Sequence, residues 1–576
     1  MNLHTAGHRR GVVAAPHHAA AEAGREILAD GGNAIEAMVA MAASIAAVYP
    51  HMNHIGGDGF WLIREPRGRV RAIEACGPAG ALARRELYRD YETIPARGPL
   101  AALTVPGAIG GWAMATEAAR AFGGKTPLDV LLGSAIRACR EGYTVTRSQA
   151  RLTREKFDEL KDAPGFAAAF LIPPLKKGRS VREANRVGIG PPPQPSPLQG
   201  EGERLSGEGL HVVQGEGEGE RIPPEEGATL HQLALGATLD QLANAGLDDF
   251  YRGDVAREIA VDLDRIGSPV TRADLESFQA KLRDPLQVSI EAGTLYNTPP
   301  PTQGLASLMI LALFDRLRVK EAEGFDHVHG LVEATKRAFR IRDRAVTDYD
   351  RLDGPPKRFL DDAFLDAEAA LIDRRRAARW PAPFGEGDTI WMGAADASGI
   401  VVSYIQSIYW EWGSGCVLPH TGVLMQNRGA SFSLDPDALN PLQPGRRPFH
   451  TLNPAMALLD DGRAMAYGTM GGDGQPQSQA AVFTRHVTFR QPLDEALDRP
   501  RWLLGRTWGS DVTNLRLESR FPDALVDRLL SAGHEVDVLP EAYSDTMGHA
   551  GAVILHPNGT LEGGHDPRAD GGAAGV

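Results

Sequence analysis

Apolar residues between His17 and Val48 recur three and four positions apart, and Gly31-Gly32 interrupts the run, so the pattern predicts two helices, residues 17–30 and 34–48. Asn33 stands where a helix cap belongs, Glu36 three positions on closes a capping box, and Pro50 stops the second helix. That helix carries Ile35, Met38, Val39, Ala42 and Ile45 at helical spacing with almost no charge, which buries it against a sheet. The period then shortens: residues 60–64 and 70–75 read as a hairpin about Pro66-Arg67-Gly68. Helical patterns return from Ile109 to about Phe170, and again from Thr229 through residues 326–343, with Pro299-Pro300-Pro301 as a turn between. Beyond Pro381 hairpins take over, residues 389–396 with 400–407 about Ala397-Ser398-Gly399, then 455–468 about Asp460-Asp461-Gly462. Helices alternating with hairpins, without a strict βαβ rhythm, predict antiparallel sheets covered by helices, an α+β fold.

Residues 188–220 break the texture, with PPPQPSP followed by Gly-Glu runs and QGEGE at both Gln199 and Gln214. So little apolar surface does not offset the entropy of ordering the chain, and the segment reads as a dispensable, disordered insertion in a surface loop.

Composition narrows the function. Of 576 residues 43% are hydrophobic and 23% charged, the balance of a folded globular protein. A formal charge of −13 opposes a dedicated nucleic-acid or anionic-membrane surface. Cys76, Cys139 and Cys416 form neither a disulfide framework nor a CxxC site, which fits a reducing compartment. No apolar run precedes Pro16, and the longest, residues 37–48, is shorter than the ~20 residues of a membrane span. The expectation is a cytoplasmic protein with no nucleic-acid or membrane partner.

The histidine pairs His51/His54 and His327/His329 lack the HExxH form, so no metal and no cofactor is expected. HIGGDG (residues 54–59) and GTMGGDG (468–474) match neither phosphate-loop signature, nor is a suitable helix start evident after either, so both read as turns. Consecutive N–H groups at Gly471 and Gly472 are nonetheless suited to an oxyanion hole. No GxSxG elbow occurs. Thr389, where a Pro/Gly-rich loop meets a strand, remains as a candidate hydroxyl, although such a threonine taken alone is structural.

Several motifs occur in one order: LTVPGAIGGW (103–112), PPPTQG (299–304), GDTIWMGAAD (387–396), GSGCVLPHTGVLMQNRG (413–429), GRRPFHTLNPAM (445–456) and GTMGGDGQPQSQ (468–479). With the first two helices they make the chain resemble the gamma-glutamyltransferase family of N-terminal-nucleophile hydrolases over nearly its whole length outside the insertion. The resemblance implies a four-layer αββα sandwich and a precursor that cuts itself between Asp388 and Thr389. The large chain 1–388 and small chain 389–576 would remain associated. It implies Thr389 as nucleophile, Ser407 as the orienting hydroxyl eighteen residues on, where the family usually has Thr, and Gly471 and Gly472 as oxyanion donors.

Recognition is where the chain departs from the family. The positions that read a glutamyl α-amino group fall at Tyr409, Arg428 and Ser431; those that read the α-carboxylate fall at His450 and Thr451, with Arg84 or Arg85 from the large chain. Arg428 would repel an ammonium and attract a carboxylate, unless it merely pairs with a core acid. The strings IQSIYWEWGSG, QNRGASFSL and RPFHTLNPAM are most similar to the oxamate amidohydrolase branch, which implies hydrolysis of a small carboxylate amide, oxamate to oxalate and ammonia. Gamma-glutamyl hydrolysis or transfer, a glutaryl-type acylase, and an unprocessed binding or scaffold protein stay open.

Overall fold

The computed structural model describes residues 2–173, 221–380, 388–505 and 514–576; the insertion expected at 188–220 lies outside them. Helix α1, Ala34–Val48, has the expected bounds because Asn33 and Glu36 close the capping box: the Asn33 side chain accepts from the Ile35 and Glu36 N–H groups, and Glu36 accepts from Asn33 N–H at 2.8 Å. Every residue of α1 is buried, as its lack of charge requires.

One antiparallel sheet runs Gly572–Gly575, Gly11–Ala15, Asp388–Asp396, Val401–Tyr409, Asp58–Arg64, Val70–Ala75, Lys281–Arg283. The second runs His4–His8, Leu561–His565, Ala550–Leu555, Ala464–Thr469, Ala455–Leu459, Gly293–Asn297, Leu286–Ile290. We call Asp58–Arg64 β1, Asp388–Asp396 β2 and Val401–Tyr409 β3; Gly304–Leu317 is α2, Phe325–Ala345 α3 and Gln475–Phe483 α4. Strand alternation sorts the side chains of β2 into two cores. Ile390, Met392 and Ala394 pack with α1, while Trp391 and Ala395 join Met456, Ala466 and Val553 between the sheets. A third core lies where α2 and α3 cover the far face of the second sheet, with Leu308 and Val332 beside Leu295 and Met465. Three cores between four layers make the αββα sandwich.

The expectation of helix from Thr229 onward fails at residues 281–297, which form three strands. Leu286–Ile290 alternates buried with more exposed positions, the two-residue period of a half-covered strand at a sheet edge. The first hairpin also begins earlier than expected, so that β1 takes in Asp58. No helix among the described residues is long and apolar enough to cross a membrane.

Both sheets draw strands from before and after residue 388, so the two segments share each hydrogen-bonded ladder. Asn33→Ala removes the α1 cap and the Asn33 bond to the Ala119 carbonyl. A loss of about 1–2 kcal/mol is expected, read as a lower denaturation midpoint at unchanged slope.

Candidate active site

Three neighbouring strands bring the central groups together. Ser407 on β3 pairs directly with Asp58 on β1, and a register shift between Asp388 and Ile390 leaves Thr389 opposite the 407–408 stretch. Alternation directs Thr389 with Trp391, Ser407 with Ile405, and Asp58 with Phe60 toward the space between the sheets. All three polar residues are buried. The Thr389 hydroxyl accepts a hydrogen bond from Gln475 Nε2 at 3.2 Å, and Ser407 Oγ accepts from Tyr409 N–H at 2.8 Å. Asn453 Nδ2 in turn donates to Gln475 Oε1 and to the Thr451 carbonyl, at 3.0 and 2.8 Å.

Gly471 and Gly472 have φ of 110° and 51°, a backbone that suits glycine, and lead through one tight turn into α4. A helix therefore does follow GTMGGDG, contrary to expectation, and its N-terminal dipole favours negative charge there. Gln303, at the head of α2, donates from Nε2 to the Gly472 and Thr451 carbonyls at 2.8 and 2.7 Å. Its Oε1 accepts from Arg342 Nη1 at 2.8 Å, and the same buried guanidinium pairs with Asp473 at 2.9 Å. The glycine turn is thus tied to two helices through a buried ion pair.

Beside it lies an incomplete polar cluster. Arg428 is fully buried, stacks 3.9 Å over the Tyr409 ring, and donates from Nη1 to Thr451 Oγ1 at 3.3 Å, while its Nε and Nη2 have no hydrogen-bond partner among the described residues. It forms no ion pair with a core acid there, and burial lowers its pKa to about 10. Tyr409 holds φ at 84°, a strained conformation for a residue with a side chain. His450 is buried with neither ring nitrogen hydrogen-bonded among the described residues, and burial, with Arg428 and Arg447 nearby, holds it well below its usual pKa and so neutral. Its Nε2 lies 3.6 Å from Asp58 Oδ2. Asp58 Oδ1 accepts from the Gly77 and Gly107 N–H groups at 3.2 and 3.0 Å. Burial pushes the Asp58 carboxyl up to about 7, against the pull of Arg428. The HIGGDG glycines allow this placement, since a Cβ on Gly57 would collide with the Ser407 carbonyl.

Thr389, Ser407, Tyr409, Arg428, His450 and Thr451 are thus brought together by the strands and loops around this face, and Gly471 and Gly472 border Gln475. Ser431 is only half-buried and spends its hydroxyl on the Phe449 carbonyl at 3.0 Å, which pins two loops together. Arg84 and Arg85 stand outside the buried cluster: both are exposed, at the start of the short helix Arg85–Tyr88, which turns Tyr88 inward. Asp58, Gln303, Arg342, Asn453, Asp473 and Gln475 escaped sequence reasoning. An acid inside each GGDG run was the available signal for Asp58 and Asp473; Arg342 sits among other charges of α3 and gave none.

Outside this region His329, Glu333 and His534 place ligand-type atoms within 4.8 Å of one another. The two histidines bond each other at 2.8 Å, and Lys336 takes Glu333 at 2.7 Å, so the group is satisfied as a polar core contact. A cleft of about 670 Å³ lined by Asp494, Asp498, Arg499 and Arg520 shares no lining residue with the site.

A profile of the gamma-glutamyltranspeptidase family matches residues 20–186 and 218–576, passing over most of the Gly-Glu-rich run. The chain is 48% identical to the oxamate amidohydrolase proenzyme of Klebsiella pneumoniae, over 98% of each chain. It is 34% identical to the glutathione hydrolase-like YwrD proenzyme of Bacillus subtilis, over 100% of each. Among solved structures, the cephalosporin acylase of Bacillus halodurans superposes with a TM-score of 0.83 at 28% identity, covering 100% of this chain and 97% of that one.

Arg342→Met leaves Asp473 buried without its cation and Gln303 without a donor. A destabilisation of about 3–5 kcal/mol is expected from a fall in denaturation midpoint, with Arg342→Lys recovering part of it.

Proposed function

The chain belongs to the gamma-glutamyltranspeptidase family, and from that premise we propose that it is a self-processing amidohydrolase acting through Thr389 on a small carboxylate amide, oxamate being the best fit. That it is an amide hydrolase follows from its kinship with named hydrolases of the family, which sets aside the scaffold alternative. The observation that carries the substrate reading is Arg428, a buried cation with two donors unused and no acid paired to it among the described residues. An uncompensated buried charge is costly, and an incoming carboxylate taken by both donors offsets that cost. The 48% identity with the oxamate enzyme supports the same reading.

In processing, Thr389 Oγ1 attacks the Asp388 carbonyl, the Thr389 nitrogen leaves as the acyl group shifts to oxygen, and water hydrolyses the ester. Residues 1–388 and 389–576 then stay joined through the shared ladders. The freed α-amine, with an ordinary pKa of ~7.7–8.0, takes the hydroxyl proton as Oγ1 attacks the substrate amide carbon. Ser407 orients the hydroxyl, and the N–H groups of Gly471 and Gly472 receive the tetrahedral oxyanion. The amine returns the proton to the departing nitrogen, releasing ammonia and leaving an oxalyl ester on Thr389. Water, deprotonated by the same amine, cleaves that ester to oxalate. Tyr409 holds Arg428 by stacking, Thr451 fixes its Nη1, and His450 offers a neutral N–H to the carboxylate. The buried free thiols of Cys76, Cys139 and Cys416 suit a reducing cytoplasmic setting.

A gamma-glutamyl amide is the second reading, favoured by one observation: Asp58 Oδ2 is buried with no hydrogen-bond partner among the described residues and could receive a substrate ammonium.

Thr389→Ala should leave a single uncut chain on a denaturing gel and abolish ammonia release from oxamate. Arg428→Gln should process normally yet lose about 10–100-fold in kcat/KM on oxamate, without loss on a gamma-glutamyl anilide. Oxamate turnover by an uncut chain would overturn the Thr389 mechanism.

A further inference from the structure

Asp58 forms part of the wall of the site, and the mechanism above gives it no task. Two backbone N–H groups hold its Oδ1, so Oδ2 is the oxygen left to face His450 at 3.6 Å, within the electrostatic reach of Arg428 but without an ion pair to it. Directly across the ladder is Ser407, so this carboxyl borders both the reacting end of the site and its charged end. We propose that Asp58 is a positioning residue that sets carboxylate affinity, admitting a carboxylate to Arg428 when it carries a proton and repelling that carboxylate across the shared wall of the site when it does not. The inference rests on the reading of Arg428 as a carboxylate receptor.

Two anions cannot both settle cheaply beside one buried guanidinium. With Asp58 ionised, an entering carboxylate meets like charge in a medium that screens it poorly. With Asp58 protonated, the repulsion vanishes and Oδ2–H becomes a donor, toward His450 Nε2 or the ligand itself. Binding above the carboxyl's pKa therefore draws one proton from solvent onto Asp58.

The groups facing Asp58 are Arg428, His450, Cys76, Tyr251 and Tyr404, with Arg447 acting on His450. Burial keeps the imidazole neutral, raises the thiol and both phenols far above neutrality, and leaves Arg428 charged to about 10. Among them Asp58, pushed by burial up to about 7, is the group that changes charge between pH 6 and 9. Affinity should be full below about pH 7 and fall by up to tenfold per pH unit above it. The proposed Thr389 amine titrates in the same range, so the Asp58 contribution must be isolated by substitution.

The test is KM for oxamate between pH 6 and 9 on the processed enzyme and on Asp58→Asn, with Asp58→Ser as a second variant should the first fail to fold. KM in the unsubstituted enzyme is expected to rise up to tenfold per unit above about pH 7, and to become level in the variant whatever happens to kcat. Oxalate binding followed by calorimetry at pH 8 in two buffers should register uptake of about one proton, lost in the variant. A level KM in the unsubstituted enzyme, or a rise and proton uptake that persist in the variant, would overturn the role of Asp58 while leaving oxamate hydrolysis standing. Absence of any oxamate turnover, with a gamma-glutamyl anilide hydrolysed at a KM that falls as pH rises, would overturn the carboxylate reading and this inference together.

Discussion

Everything in the site depends on three strands held in one register. β1, β3 and β2 lie side by side in the middle of a sheet, and their period of two turns Asp58, Ser407 and Thr389 toward the same interior space. A slip of one residue would exchange these groups for the apolar ones now packed against α1. The slip is opposed from both sides. Trp391 and Ile405 belong to the core between the sheets, whereas Ile390, Met392 and Tyr404 belong to the core beneath α1. Packing of apolar side chains therefore fixes the relative positions of the polar ones.

The same interior contains two buried arginines in opposite situations. Arg342 is satisfied: Asp473 and Gln303 occupy its donors, and through them it stiffens the Gly471-Gly472 turn. Arg428 has an aromatic face and one hydroxyl, and among the described residues two of its nitrogens are left over. A guanidinium with its donors occupied needs no further partner; one with donors unpaired among the described residues, near a histidine likewise unpaired there and a carboxyl of raised pKa, has the perturbed surroundings that functional sites concentrate. The contrast lies in the surroundings and not in the residue type, since both are arginine.

Much of this architecture was legible along the chain. Asn33 with Glu36 announced α1 to the residue, and hairpins such as 455–468 emerged where apolar positions alternated about Asp-Asp-Gly. Local signals of that kind need only neighbouring residues. The strands at 281–297 were missed because the alternation LQVSI is short and sits between helices, where a five-residue run supports either period. Arg84 and Arg85 fall outside the buried cluster for a different reason. Their assignment came from register in a region without distinctive residues, and nothing local tells which side chain of a surface turn faces inward. Asp58 lay in plain view inside HIGGDG, but a glycine run reads as a turn until its close approach to the Ser407 carbonyl is known.

The charge state of that one carboxyl links fold to chemistry. Burial raises the Asp58 carboxyl against the longer-range pull of Arg428, with which it forms no ion pair, and on the proposed reading Arg428 is the group a carboxylate ligand would claim. Where a site offers a single positive charge to two negative groups, the outcome is decided by which of them can become neutral at least cost. Desolvation has already brought Asp58 close to neutrality, whereas a small α-keto or oxalyl carboxylate, far more acidic, has no such option. A ligand bearing an ammonium reverses the argument, because it would bring its own cation and leave Asp58 ionised. The distance between these two chemistries is one proton on one side chain, so the proposed preference would reside in Asp58 and Arg428 jointly rather than in the guanidinium alone.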